Sequence, residues 1–256
     1  MMPSVSGPSR APRLLVSVVT ADEVRAAIEG GADVVDVKNP AEGALGAPTP
    51  GLLREIRSLV KTPVLMSAAL GDAPHLPGTM ALAAAGAAAC GVDYVKVGLL
   101  GSARPEQAFD LILAARRAAS DANSAAKLVA VAYADASRVG GLPAAELPAI
   151  AREAGAHGVM LDTAVKDGVS TFGAMGQDAV ALFVAEARAL GLMTALAGAL
   201  QPADFEALGS MGVDLVGVRG SACDGGRGGR VSATRVASLR AALGLSASAS
   251  PLPARR

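Results

Sequence analysis

Short, mostly apolar runs alternate along the chain with longer segments of helical character. The runs are LLVSVV (14–19), DVVDVK (33–38), VLMSAA (64–69), DYVKVG (93–98), LVAVAY (128–133), GVMLD (158–162), MTALAG (193–198) and DLVGVR (214–219). Each is rich in Val or Leu, as strands covered on both faces are. The segments between them predict helices over Ala21–Glu29, Pro50–Leu59, Thr79–Cys90, Pro105–Ser120, Pro143–Ala154, Gln177–Leu190, Pro202–Met211 and Ser232–Leu243. Thr20 stands where an N-cap is expected. Several helices end in Gly just ahead of the next strand (GGAD, CGVD, AGAH, LGLM, MGVD), the place of a C-cap glycine. Strand and helix alternate eight times, which predicts an α/β fold: a single (β/α)8 TIM barrel over 14–243, with short disordered tails at 1–13 and 244–256. A doubly wound open sheet would place a Gly-rich loop after the first strand, and VTADE has no glycine there.

Charged residues sit at the ends of several strands, where lysine and aspartate are rarely buried without a reason. They are Asp36 and Lys38 in DVVDVK, Lys96 in DYVKVG, Asp162 and Lys166 in LDTAVKDG, and Arg219 in DLVGVR. In a barrel these ends form the active face. Asp36 and Lys38 are two apart and share a face, as do Tyr94 and Lys96. Their strands are the even-numbered ones, whose residues share barrel layers. The bland alternative for each is a solvated rim lysine or a helix-capping aspartate. Asp33, Asp93 and Asp214, at the other ends of their strands, belong to stability.

Clustered, partly desolvated lysines lower one another's pKa. A neutral lysine adds to a carbonyl to give a Schiff base, and a nearby carboxylate moves the protons. This is the chemistry of class I aldolases. A second half-site follows strands 7 and 8, where LAGAL with Gly198, and RGSACDGG with Arg219, Gly220 and Ser221, offer small residues, backbone N–H groups and a cation for phosphate. Asp135, after strand 5, is a weaker candidate for the same role. The 67–79 loop reads as a lid or a subunit contact, and His75 as a surface residue or a catalytic one.

Composition narrows the partners. The 256 residues are 52% hydrophobic with only four Phe, two Tyr and no Trp, so the core must be built from Ala, Val and Leu. Twenty-three basic and 23 acidic residues balance, which argues against a nucleic-acid partner. Cys90 and Cys223 are expected to be reduced thiols. Two histidines in no ligand pattern give no expectation of a metal. Neither a signal peptide nor a membrane span is expected, so the reading is a cytoplasmic enzyme acting on a small molecule.

DVKNPAEGALGA, GDAPHLPGT, YVKVGL, AYADASRVG, LDTAVKDG and GVRGSAC, in this order, resemble the (5-formylfuran-3-yl)methyl phosphate synthase family of methanofuran biosynthesis over nearly all of 14–243. The resemblance implies a TIM-barrel lyase that condenses two molecules of glyceraldehyde 3-phosphate, with no cofactor and no metal. It makes Lys38 the Schiff-base lysine, with Asp36, Lys96, Asp162 and Lys166 as partners. An aldolase or isomerase acting on another sugar phosphate, or a non-catalytic phosphate-binding barrel, stays open at this point. So does association into a homo-oligomer.

Overall fold

The computed structural model describes residues 11–245 except Ala73. Eight parallel strands close into a barrel in sequence order, β1 through β8. In chain order the elements are β1 (Arg13–Val18), α1 (Ala21–Glu29), β2 (Val34–Val37), α2 (Pro50–Leu59), β3 (Leu65–Ala69), α3 (Pro77–Ala89), β4 (Tyr94–Gly98) and α4 (Pro105–Ala122). There follow β5 (Lys127–Tyr133), α5 (Ala136–Val139), α6 (Leu147–Glu153), β6 (Gly158–Asp162), α7 (Thr171–Met175), α8 (Gln177–Ala189), β7 (Met193–Leu196), α9 (Phe205–Met211), β8 (Leu215–Val218) and α10 (Ala233–Ala242). All eight expected strands and helices are present. The short α5 and α7 are additions, both in loops at the active end of the barrel. The tails expected at 1–13 and 244–256 fall almost wholly outside the described residues, and Arg13 already belongs to β1.

Strand alternation divides the core in two. Val16, Val18, Val35, Val37 and Val95 point outward and pack on the helices. Leu15, Val34, Tyr94, Val131, Met160 and Leu215 fill the barrel itself. The scarcity of bulky aromatics suits this division, because Ala-rich helices such as α3 lie close against their neighbours. Among the described residues, no helix is long and apolar enough to cross a membrane.

The lower rim is held by one device used four times. Asp33, Asp93, His157 and Asp214 each precede an even strand. Each accepts the backbone N–H of the odd strand before it: Leu14 (2.9 Å), Met66 (2.8 Å), Leu128 (3.1 Å) and Thr194 (2.9 Å). The stability role expected for the three aspartates thus has a bond behind it. His157 is the odd member, since its Nδ1 accepts only while the ring is neutral. Burial, with Lys127 and Arg116 nearby, lowers its pKa below the ordinary 6.5. A lowered folded pKa means that this bond's stability is present above about pH 6.5 and is lost as the pH falls below it. His157→Asp, which copies the other three positions, should flatten the fall in melting temperature between about pH 7 and 5. The change is small, well under about 1 kcal/mol, because the ring is only partly buried and solvent screens the shift. Parallel melting curves for the two proteins over that range would sink this account.

Thr20 departs from expectation. It occupies the N-cap of α1, but its side chain makes no capping bond. Glu23 reaches back instead and accepts from Val19 N–H at 2.8 Å.

Candidate active site

The mouth of the barrel holds a cavity of about 450 Å³, lined by Ser17, Asp36, Lys38, Lys96, Asp162 and Lys166 on one side and by the loops after β7 and β8 on the other. Five of the six charged residues expected from the strand ends, all but Arg219, are therefore gathered on one side of it. Asp36, Lys38, Lys96 and Asp162 are each at most 5% exposed.

The cluster sorts into two bonded pairs and one unbonded amine. Lys96 Nζ lies 2.7 Å from Asp36 Oδ1. Ser67 donates to the same oxygen at 2.8 Å, and Ser17 to Oδ2 at 3.0 Å. Asp36 is thus an anchored anion that fixes Lys96. Lys166 Nζ lies 2.7 Å from Asp162 Oδ1, which also accepts Thr163 N–H at 2.8 Å. Among the described residues, Asp162 Oδ2 and the Lys38 ammonium have no hydrogen-bond partner.

Environment separates the groups further. Burial lowers the Lys38 pKa from 10.5 to about 8; Asp162 and Asp36 oppose this, while Lys96 and Lys166 add to it. Roughly a tenth of the amine is then neutral at pH 7. Burial alone would raise Asp162, but Lys166 and Lys38 beside it overcome that and hold it below the ordinary 3.8. The site therefore carries a nucleophile-ready amine next to an ionised carboxylate with a free oxygen.

The loops expected to form the second half-site do line the cavity, but Arg219 and Asp135 are placed otherwise than expected. Gly198, Gly220 and Ser221 line the cavity, and their N–H groups have no acceptor among the described residues. Gly198 must lack a side chain, because a Cβ there would collide with Thr171 and Thr163. Arg219 is not available for phosphate. Its Nη1 donates to Ser17 O (3.0 Å) and Glu23 Oε2 (2.6 Å), its Nη2 to Glu23 Oε1 (3.0 Å) and Gly229 O (3.0 Å), and its Nε to Arg227 O (3.4 Å). Those are the five donors a guanidinium owns. Arg219 latches the Gly220–Gly229 loop to α1 instead. Arg227 and Arg235 line the same cavity; Arg235 Nε is paired with Asp224 at 2.6 Å, which leaves its two terminal nitrogens and the Arg227 guanidinium on that side.

Asp135 also differs from expectation. It is buried outside the cavity lining, and its two oxygens accept Ala164 N–H (2.7 Å) and Val165 N–H (2.9 Å). It shapes the turn that delivers Lys166, and Arg138 on α5 grips Asp167 at 2.7 Å on the far side of that lysine. His75 lies away from the cavity, 3.7 Å from Asp110 on α4. The lid-like 67–79 segment is partly strand and partly helix, and its free stretch pairs with the next loop at Pro74 and Gly101.

Sequence reasoning missed Ser17, Ser67, Thr163 and Glu23. The first three carry no signal beyond being polar inside apolar strands or at their ends. Glu23 had one: an acidic residue on the same face of α1 as Val24 and Ala27, and equally buried.

Comparison with known proteins gives the family and the fold. The sequence model of the 4-HFC-P synthase family matches residues 14–240. The (5-formylfuran-3-yl)methyl phosphate synthase of Methanothermobacter thermautotrophicus is 48% identical over 213 residues, covering 83% of this chain and 90% of that protein. The enzyme of the same name from Methanocaldococcus jannaschii is 45% identical over 229 residues, covering 89% and 97%. Among solved structures, KGPDC from Streptococcus mutans superimposes with a TM-score of 0.65 at 15% identity, over 92% of this chain and 98% of that one. Phosphoribosyl anthranilate isomerase from Thermus thermophilus gives 0.60 at 15%, over 91% and 98%. At such identities these two bear on the fold alone.

Proposed function

Because the chain belongs to the 4-HFC-P synthase family, we propose that it condenses two molecules of glyceraldehyde 3-phosphate to (5-formylfuran-3-yl)methyl phosphate, through a Schiff base on Lys38, for methanofuran biosynthesis. The observation that carries this reading is Lys38 itself: a buried amine with no bonded partner and a pKa of about 8, between two carboxylates in the cavity.

One triose phosphate, isomerised to the ketone, loses its carbonyl oxygen as water when the Lys38 amine adds to it. The resulting iminium makes that carbon an electrophile. Asp162 Oδ2, ionised and unpartnered, takes the C2 proton of the second triose phosphate, whose C3–O bond breaks to release phosphate and leave an enol; the terminal carbon of that enol attacks the iminium carbon. Elimination then frees the Lys38 amine, and the hydroxymethyl oxygen of the first triose closes on the new ketone with loss of the second water to give the furan. Overall, two trioses yield the product, one phosphate and two waters. Lys96, fixed by Asp36, and Lys166, fixed by Asp162, supply positive charge for the leaving phosphate and for developing alkoxides. The retained phosphate binds the N–H groups of Gly198, Gly220 and Ser221, with Arg227 and Arg235 in the place first given to Arg219.

Borohydride trapping in the presence of glyceraldehyde 3-phosphate, followed by peptide mass analysis and a phosphate-release assay, tests the reading. The expected result is an adduct on Lys38, with phosphate and a furan chromophore released. An adduct without phosphate release would identify an aldolase of another sugar phosphate. With no adduct on any lysine, the Schiff-base mechanism fails and a non-catalytic phosphate-binding barrel gains ground.

A further inference from the structure

Among the described residues, four buried side-chain polar atoms lack a hydrogen-bond partner: Asp72 Oδ2, His75 Nε2, Ser102 Oγ and Arg116 Nε. Three of them lie in the loops after β3 and β4, which pair with each other at Pro74 and Gly101. Buried polar atoms are rarely left unpaired without cause. Asp72 is the one that reaches the barrel interior.

Its Oδ1 accepts a hydrogen bond from the hydroxyl of Tyr133, at the end of β5. Tyr133 belongs to the cluster inside the barrel and pairs in register with Asp162. Room for the carboxyl comes from Gly98, two residues beyond Lys96 on the same face of β4; a Cβ there would collide with it. Oδ2 faces the loop after β2, 3.9 Å from where a Cβ on Gly43 would stand. The backbone N–H groups of Leu45 and Leu100 are close enough to stabilise its charge, although neither completes a well-formed bond. One carboxyl therefore stands where the loops after β2, β3 and β4 meet the end of β5. The first of these loops begins at Lys38. It closes on itself through Asn39 N–H to Gly46 O at 2.8 Å, and it buries Ala44 and Leu45 in the inner cluster.

We propose that Asp72, held by Tyr133, is a positioning residue for Lys38: it ties the Asn39–Gly46 loop to β5 and so fixes the placement of the reacting amine. This rests on the reading of Lys38 as the Schiff-base lysine. Burial raises the Asp72 pKa above the ordinary 3.8, against the hydrogen bond from Tyr133 and the nearby N–H groups of Leu100 and Leu45, and Asp162 adds to the rise. Burial and Asp72 likewise push Tyr133 well above 10.0. Tyr133 and Asp162 are the titratable side chains that act on the carboxyl. The tie is thus strongest with Asp72 ionised, and it weakens on acidification at a pH above the ordinary 3.8 of a free aspartate.

The test is the rate of borohydride trapping by glyceraldehyde 3-phosphate at Lys38, measured from pH 5 to 9 in the full-length protein and in its Asp72→Asn, Tyr133→Phe and double variants. The expected result is a fall of about ten- to a hundredfold in each single variant, as small misplacements of reacting groups produce. The double variant should be no slower than the worse single one, because the two residues act as a unit. KM should change less than about twofold, and the acid limb of the profile should move in both single variants. Tyr133→Phe removes one hydroxyl, so it keeps the question answerable if Asp72→Asn folds poorly. Wild-type rates with an unmoved profile in Tyr133→Phe and in any folded Asp72→Asn protein would overturn this inference alone. Absence of any Lys38 adduct in the wild type would overturn the parent reading and this one together.

Discussion

Lys38→Ala is expected to lower furan formation by on the order of 10⁴-fold or more, and to abolish trapping, while leaving the fold intact. Both halves of that expectation come from the same observation. The Lys38 side chain makes no hydrogen bond, so its removal orphans no partner, and the backbone bond from Lys38 N–H to Val18 O is kept. Asp36 keeps Lys96, Ser17 and Ser67, and Asp162 keeps Lys166 and Thr163. The melting temperature should move by only a few degrees. Lys38→Arg should be equally inactive, since a guanidinium stays protonated and cannot form the imine. Lys96→Ala makes the contrast: it leaves the buried Asp36 carboxylate without its cation, which costs about 3–5 kcal/mol. Residual turnover in Lys38→Ala above about one per cent of wild type would move the nucleophile to another lysine.

Glu23→Ala should produce the largest loss of stability. Glu23 and Arg219 form a buried pair, 5% and 6% exposed at the side chain. Glu23 also accepts Val19 N–H and Val231 N–H. Deleting it strands a buried guanidinium and two backbone donors at once, at a cost of about 3–5 kcal/mol. For a domain of this size that corresponds to a fall of roughly 10 °C in melting temperature. The same pair latches the Gly220–Gly229 loop, so KM for the triose phosphate should rise more than kcat falls. Glu23→Gln, which keeps an acceptor for one donor, should be milder on both counts. A melting temperature within about 2 °C of wild type in Glu23→Ala would mean that the pair adds no net stability.

The barrel was legible because its strands are buried on both faces, which removes any helical period and leaves runs such as LVAVAY in plain view. The reactive cluster was legible for a related reason: charge at the end of such a run stands out, and two-residue spacing assigns Asp36 and Lys38 to one face. Arg219 was misread because its acceptors come from Ser17, Glu23, Arg227 and Gly229, which only the closed barrel assembles. A strand-end arginine looks the same in sequence whether its fork is empty or full. Asp135 failed in the same way, its two acceptor oxygens being spent on the backbone of the next βα loop. Asp72 is the least legible of all, because its place depends on a missing side chain at Gly98.

The four side-chain bonds along the lower rim couple β1 to β2, β3 to β4, β5 to β6 and β7 to β8. Among the described residues, the pairs are joined to one another at this rim only through the backbone, where the carbonyls of Asp33, Asp93, His157 and Asp214 accept the N–H groups of Leu65, Lys127, Met193 and Arg13. The joints between pairs fall in the segments after β2, β4 and β6, and these are the places to cut and splice if quarter-barrels are to be exchanged between family members. Each transplanted quarter would bring its own rim lock; the first three would also bring a share of the charged cluster, and the fourth the small-residue loops that line the other side of the cavity.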